Sequence, residues 1–254
     1  MKQRYFIFIS YRGTAYHGWQ VQPNSVTVQE LLDHSLSGIL REKISTTGAG
    51  RTDTGVHALF FCAHFDSESG SLDNDERLIF KLNRFLPKDI SVTGIRRVVR
   101  DANARFSALS RTYKYHISLA KDPFTLESSW YLHGDLNLDK MNTAAGLLFK
   151  YRDFTSFAKL HSDVKTFECR IMEAYWEGKG DMLVFTIKAD RFLRNMVRSV
   201  VGTMVDVGYG KKSLEEFEQI ILAKNRSKAG FSAPARGLFL TAIDYPDNIF
   251  VTNA

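Results

Sequence analysis

The apolar positions of residues 4 to 11 (RYFIFISY) are aromatic or β-branched and stop at Arg12-Gly13, which predicts a strand. Thr27-Val28-Gln29-Glu30 then has the form of a capping box. It opens a helix whose Val28, Leu31, Leu32, Leu36, Ile39 and Leu40 fall on one stripe. A short extended piece at 44 to 47 leads into a glycine-rich stretch, and ALFFCAHF (58 to 65) reads as a buried strand. Asp73 with Glu76 begins a second helix carrying Leu78, Ile79, Leu82, Phe85 and Leu86. Pro87 stops it, and ISVTGIRRV (90 to 98) follows as a strand.

After a basic connection the order repeats. RTYKYHISL (111 to 119) predicts a strand and residues 138 to 150 a helix. Strands at 170 to 177 and 182 to 189 are joined by the hairpin signal Gly178-Lys179-Gly180-Asp181. A helix at 191 to 207, a second from the Ser213/Glu216 capping box to 224, and a strand at 238 to 244 complete the chain. Each half reads β-α-β-β-α-β, with one extra helix in the second. The predicted class is therefore α+β: two ferredoxin-like halves with antiparallel sheets, residues 1–105 and 106–254. Helices on one sheet face leave the other face free. No low-complexity tract or long linker separates the halves.

Composition narrows the class. In 254 residues, 44% are hydrophobic and 24% charged, which excludes a disordered chain. Thirty-four Lys and Arg against 28 Asp and Glu give +6, a lean toward a polyanionic partner. Cys62 and Cys169 lie in dissimilar surroundings with no CxxC, so neither a disulfide framework nor a zinc site is indicated, and both read as thiols in a reducing cytosol. The apolar run in MKQRYFIFIS is too brief for a signal peptide, and no window approaches the roughly 20 apolar residues of a membrane span. The expected location is cytoplasmic.

The segment richest in chemistry is GAGRTDTGVHA, residues 48 to 58. Three glycines and two threonines surround Asp53, in a turn that lets another backbone or a nucleotide come close. On spacing alone it is also a solvated turn whose aspartate caps the next strand. It is not a phosphate loop, since GxxxxGK[ST] is missing and the glycine spacing does not fit GxGxxG. Asp53 and His57 are too few for a metal.

GRTDTGVHA resembles the signature loop of the tRNA pseudouridine synthase family usually called TruA. The resemblance runs over nearly the whole chain through YRGTAYHGWQVQ, LNRFLPKDISV, ARFSALSRTYKYHI, DFTSFAK, FLRNMVRSVVGTMVDVG and APARGLFL, in that order. It implies an isomerase that converts uridine to pseudouridine on the 3′ side of the anticodon loop and the adjoining stem of tRNA. It further implies a homodimer whose two subunits touch one tRNA, an active site in the cleft between the halves, and no metal, nucleotide or organic cofactor.

By that resemblance Asp53 is the nucleophile. The reaction breaks the glycosidic bond, turns the uracil and rejoins it through C5. One carboxylate suffices, whereas glycosidases use two. Tyr113 shares a strand face with Tyr115 and Ile117, and all three read as core by alternation. The resemblance instead makes Tyr113 the platform for the target base and the acceptor of its C5 proton. Arg194 and Arg198 border an apolar helical stripe, where a long stem snorkels or a buried head needs an anion. The resemblance matches Arg198 to the arginine that pairs with the catalytic aspartate. By the same resemblance Arg51 takes the space of the flipped nucleotide or clamps its phosphate; by its place in a turn it is also a plain surface cation. Arg105 and Arg111, with Arg96, Arg97, Arg100, Lys159 and Lys165, are candidate phosphate contacts that position RNA without reading its sequence. His57 and His64 carry no assigned role.

Two other readings compete. A non-catalytic RNA-binding module of the same body is expected to have lost Asp53 or Tyr113, and both are present. A nucleoside hydrolase calls for a second carboxylate near the first, and Asp66 and Glu68 lie beyond an intervening strand.

Overall fold

The computed structural model describes residues 2–159 and 165–251. The fold is α+β. Its elements run β1 (Gln3–Tyr11), α1 (Val28–Leu40), β2 (Thr47–Gly48), β3 (His57–Ser67), α2 (Glu76–Phe85), β4 (Ile90–Val98), β5 (Ser110–Ser118), β6 (Trp130–Tyr131) and α3 (Leu138–Leu147). They continue through β7 (Ile171–Lys179), β8 (Met182–Ala189), α4 (Met196–Gly208), α5 (Leu214–Leu222) and β9 (Leu238–Asp244). Two compact units emerge, one of residues up to Leu109 together with those from Leu240 on, the other Ser110–Phe239.

In the first unit the strand order is β4-β1-β3-β9, with β2 also on β3. β1 is antiparallel to both neighbours, so that Ile7 faces Ala63 on one side and Ile95 on the other. One face of β1 presents Tyr5, Ile7, Ile9 and Tyr11, all buried. Tyr5 stacks on Phe65 and Tyr11 sits edge-on to Phe61. The opposite face, which the sequence pattern leaves open, is covered at Phe6: Tyr245 and Phe250 from the end of the chain pack edge-on against its ring, and Phe6 is fully buried. Helix patterning misses this because the covering residues come from an irregular segment with no period of its own.

Capping explains the helix starts. Thr27 accepts from Glu30 N at the head of α1. For α2 the cap is Asp75, which accepts from Arg77 N and Leu78 N, and not Asp73 as the spacing to Glu76 suggests. Asp73 instead accepts from Arg97 N of β4 and lies 3.5 Å from the Arg96 guanidinium, tying the loop to the sheet edge. Asp66 makes a two-pronged bond to Arg4 at 2.7 and 2.8 Å, which holds its carboxyl below the usual range.

In the second unit the order is β5-β8-β7, with the two-residue β6 parallel to β5. Tyr115 lies opposite Phe185 and Ile117 opposite Leu183, and Trp176 stacks on Phe185. α5 opens with the full reciprocal capping box of Ser213 and Glu216. α4 begins at Met196, five residues later than its apolar pattern suggests. Asn195 takes a left-handed φ of 66°, and the Arg194 carbonyl accepts from Lys159 N instead of entering a helix. Once begun, α4 is buried nearly all round, and of its thirteen residues only Arg198 and Asp206 escape full burial. Burial raises the Cys169 thiol to about 12 and pushes the Cys62 thiol up as well, so both are protonated, unreactive groups at neutral pH. Among the described residues, no helix is long and apolar enough to cross a membrane.

Candidate active site

The loop from Gly48 to Val56 connects β2 to β3, and it is pinned at its entry, middle and exit by the last residue of β1 and the chain that follows it. At the entry, α1 reaches across with two side chains. Asp33 accepts from Thr46 N and Oγ1 at 2.8 and 2.6 Å, and Gln29 donates to Thr46 O at 2.7 Å. Burial raises the Asp33 carboxyl, against the downward pull of the Thr46 bonds. The loop then pairs briefly with β3, and Ala49 N donates to Cys62 O. In the middle, Thr52 Oγ1 shares a 2.9 Å hydrogen bond with the Tyr11 hydroxyl. At the exit Gly55 N donates to Tyr16 O, and Gly13 N donates to His57 Nδ1 at 3.0 Å. Tyr16 is itself anchored by a hydrogen bond to Asp89.

Backbone runs against backbone here. A Cβ on Gly13 would lie 2.0 Å from Val56 O. One on Gly18 would lie 2.2 Å from Thr52 O, and Gly18 also holds φ +84°. Gly18→Ala is therefore expected to cost roughly 2 kcal/mol of stability or more and to displace Thr52. Gly38→Ala is the contrast: it lies inside α1 with nothing within 4 Å of its Cβ position, and should be neutral or slightly stabilising. Thermal unfolding of the two variants checks this, and equal midpoints would contradict the close approach.

Within this frame Asp53 is half-exposed, while Thr52 before it and Val56 after it are buried. Asp53 O accepts from Val56 N, closing a turn that fixes the backbone. Arg51 on the same loop is exposed. Arg105, in the first unit, is exposed, with its guanidinium 5.3 Å from the Phe106 ring centroid.

Tyr113, Arg111, Arg194 and Arg198 belong to the second unit. Tyr113 is half-buried, opposite Ile187 on β8, with its ring edge-on to Phe192 at 5.2 Å. Tyr115 and Ile117, further along that face, are fully buried core residues. Arg111 donates to Asp190 O. Arg198, the third residue of α4, donates from Nε to Ala233 O at 2.6 Å, while Ala233 N donates back to Arg198 O. The adjacent Pro234 carbonyl accepts from the Tyr115 hydroxyl, whose phenol burial pushes up against the opposing pull of the Arg198 and Arg236 charges. The second unit thus brings Tyr115 and Arg198 together at Ala233-Pro234. These two carbonyls carry no side-chain signal; only the wider APARGLFL segment marks them in the sequence.

Arg194 is exposed outside α4, and Lys159 and Lys165 are exposed. His57 and His64 are buried acceptors for Gly13 N and Ala104 N, and desolvation, then the Arg4 charge, lowers the His64 imidazole. Among the described residues, no three His, Cys, Asp or Glu side chains gather as a metal cluster.

Residues 145–246 match a family described as tRNA pseudouridine synthase. The tRNA pseudouridine synthase A of Bacteroides fragilis is 54% identical over 249 residues, covering 98% of this chain and 98% of the relative. That of Bacteroides thetaiotaomicron is 53% identical, covering 98% and 93%. The chain belongs to the tRNA pseudouridine synthase A family. The likeness reaches well outside the Bacteroides: the tRNA pseudouridine synthase A of Colwellia psychrerythraea is 41% identical over 96% of the chain and 95% of its own length. Membership of this family bears on the competing hydrolase reading. Asp66 lies nine residues beyond His57 along β3, roughly 30 Å at strand rise, and is engaged with Arg4.

Proposed function

We propose that this tRNA pseudouridine synthase isomerises uridine on the 3′ side of the anticodon loop and adjoining stem, with Asp53 as the nucleophilic carboxylate. The observation that carries the reading is a single half-exposed aspartate on a loop whose flanks are held at three points, in a chain about half identical to tRNA pseudouridine synthases A. The reaction breaks C1′–N1 and forms C1′–C5 without net hydrolysis. Asp53 bonds C1′, stabilises the cationic sugar or takes the 2′-proton. Each route requires an ionised carboxylate held still and shielded from water, which would otherwise capture the sugar and release free uracil.

Tyr113 supplies the platform for the extruded base and accepts the C5 proton. Base stacking on an aromatic ring is worth about 1 to 3 kcal/mol, which offsets part of the unstacking cost. Arg198 pairs with Asp53 and favours its charged form. The 2.6 Å bond from Arg198 Nε to the Ala233 carbonyl, which fixes the guanidinium against the protein, supports a functional head group over a snorkelling one. Arg51 fills the gap left by the flipped nucleotide, and Arg105 and Arg111 contact phosphate. Two ferredoxin-like halves, one carrying the Asp53 loop and the other the Tyr113 strand and Arg198 helix, and a homodimer binding one tRNA complete the proposal. The order β4-β1-β3 with α1 and α2 supports the first half.

The test is to incubate the purified protein with unmodified tRNA, with no added cofactor, and map pseudouridine by chemical probing. New pseudouridine confined to the 3′ side of the anticodon arm is the expected result. Release of free uracil, or modification elsewhere, would overturn it.

A further inference from the structure

We propose that Tyr11 is a positioning residue for the isomerisation, acting through Thr52 to hold the Asp53 carboxylate in its productive orientation. This rests on the reading of Asp53 as nucleophile.

Tyr11 is the last residue of β1 and lies between two strands, opposite Ala58 of β3 and Ile90 of β4. It is 4% exposed, and its ring is wedged edge-on against Phe61. From this enclosed position its hydroxyl meets Thr52 Oγ1 at 2.9 Å, in a buried hydrogen bond. The bond spans 41 residues of sequence and joins a strand paired on both sides to the residue next to Asp53. Thr52 is β-branched, so fixing its hydroxyl fixes χ1, and through χ1 the peptide that leads into Asp53. On the other side of that peptide, Thr52 O rests against Gly18, and Asp53 O is held by Val56 N. The backbone on both sides of the Asp53 Cα is thus set by contacts that touch no substrate. Nucleophilic attack tolerates little error in placement, so slack in this peptide should appear in the chemical step and not in tRNA affinity.

A phenol that merely fills the core would show a different signature. Tyr11→Phe retains the ring and its packing on Phe61, and removes only the oxygen. Thr52→Val removes the other end of the bond at nearly constant shape, and Thr52→Ser restores a hydroxyl.

The experiment measures single-turnover rate with saturating protein, tRNA dissociation constant and melting temperature for Tyr11→Phe, Thr52→Val, Thr52→Ser and the Tyr11→Phe/Thr52→Val double variant, with Asp53→Asn alongside. Tyr11→Phe and Thr52→Val are each expected to slow turnover by about tenfold, the rate equivalent of ~1.4 kcal/mol, at unchanged tRNA affinity. The double variant should be no slower than either single one, because both remove the same bond. Thr52→Ser should recover most of the rate. Wild-type turnover in Tyr11→Phe with a lowered melting temperature, additive losses in the double variant, or a defect confined to affinity would each overturn the proposal. Should Tyr11→Phe not fold, the contrast between Thr52→Val and Thr52→Ser decides. Turnover surviving Asp53→Asn overturns the nucleophile reading and this proposal together. An inactive Asp53→Asn beside a full-speed Tyr11→Phe overturns this one alone.

Discussion

Asp53→Asn is expected to lower single-turnover isomerisation by on the order of 10⁴-fold or more, while tRNA affinity and melting temperature stay near wild type. Losses of that size are characteristic of removing a nucleophile. The amide matches the carboxylate in volume, and the contacts that hold the loop do not use the side chain of residue 53: Asp53 O still accepts from Val56 N, Thr52 still meets Tyr11, and Gly55 N still meets Tyr16 O. What disappears is the negative charge. An amide oxygen neither bonds C1′ productively nor balances a cationic sugar nor removes the 2′-proton, so the prediction holds for every route open to the carboxylate. In the proposed reading binding is carried by cations on phosphate, and replacing an anion by a neutral group should leave it unchanged or tighten it slightly. The measurement pairs a pseudouridine assay at saturating protein with a filter-binding isotherm at one salt concentration. Appreciable turnover by a variant shown by mass spectrometry to have kept its asparagine would remove Asp53 from the chemistry.

The strands at 90 to 98 and 238 to 244 are bounded in the structure where their apolar runs end, because apolar runs cut by turn residues leave little latitude. Helix starts are less legible. Asp73 and Asp75 both precede an apolar period, and only Asp75 caps α2, since the partner of Asp73 is a backbone amide 24 residues away. Apolar periodicity likewise carries α4 back to residue 191, whereas Asn195 turns left-handed and delays the helix to Met196. The Asp53 loop stands out in the sequence as a cluster of small residues around one carboxylate, but its supports do not. Tyr11, Gly18, Gln29 and Asp33 act across 13 to 41 residues of chain, and nothing in their local spacing marks them as loop anchors rather than ordinary strand, turn and helix residues. The same limit hides the Ala233 and Pro234 carbonyls that receive Arg198 and Tyr115. Local pattern fixes elements, and long-range hydrogen bonds decide which of their residues hold a reactive group in place.

Tyr113→Phe and Tyr113→Ala are expected to separate the two roles assigned to this side chain. Tyr113 is half-buried on β5, with its ring braced edge-on against Phe192, so the phenylalanine ring should occupy the same place and still offer a face to the extruded uracil. Tyr113→Phe should therefore keep tRNA affinity and glycosidic cleavage, and lose the group that takes the proton from C5 after the base is rejoined. Loss of a positioned general base slows its step by about 10² to 10⁴-fold. That step then limits the reaction, and a uridine deuterated at C5 should reveal it through a primary isotope effect larger than the wild-type one. A covalent or rearranged species that has not yet lost the C5 hydrogen should accumulate in Tyr113→Phe and be trapped by denaturation. Tyr113→Ala removes the platform too, so it should weaken capture of the flipped base as well, by about 1 to 3 kcal/mol, with no intermediate accumulating. Wild-type rate and isotope effect in Tyr113→Phe, beside an inactive Tyr113→Ala, would confine Tyr113 to stacking and assign the C5 proton to another acceptor.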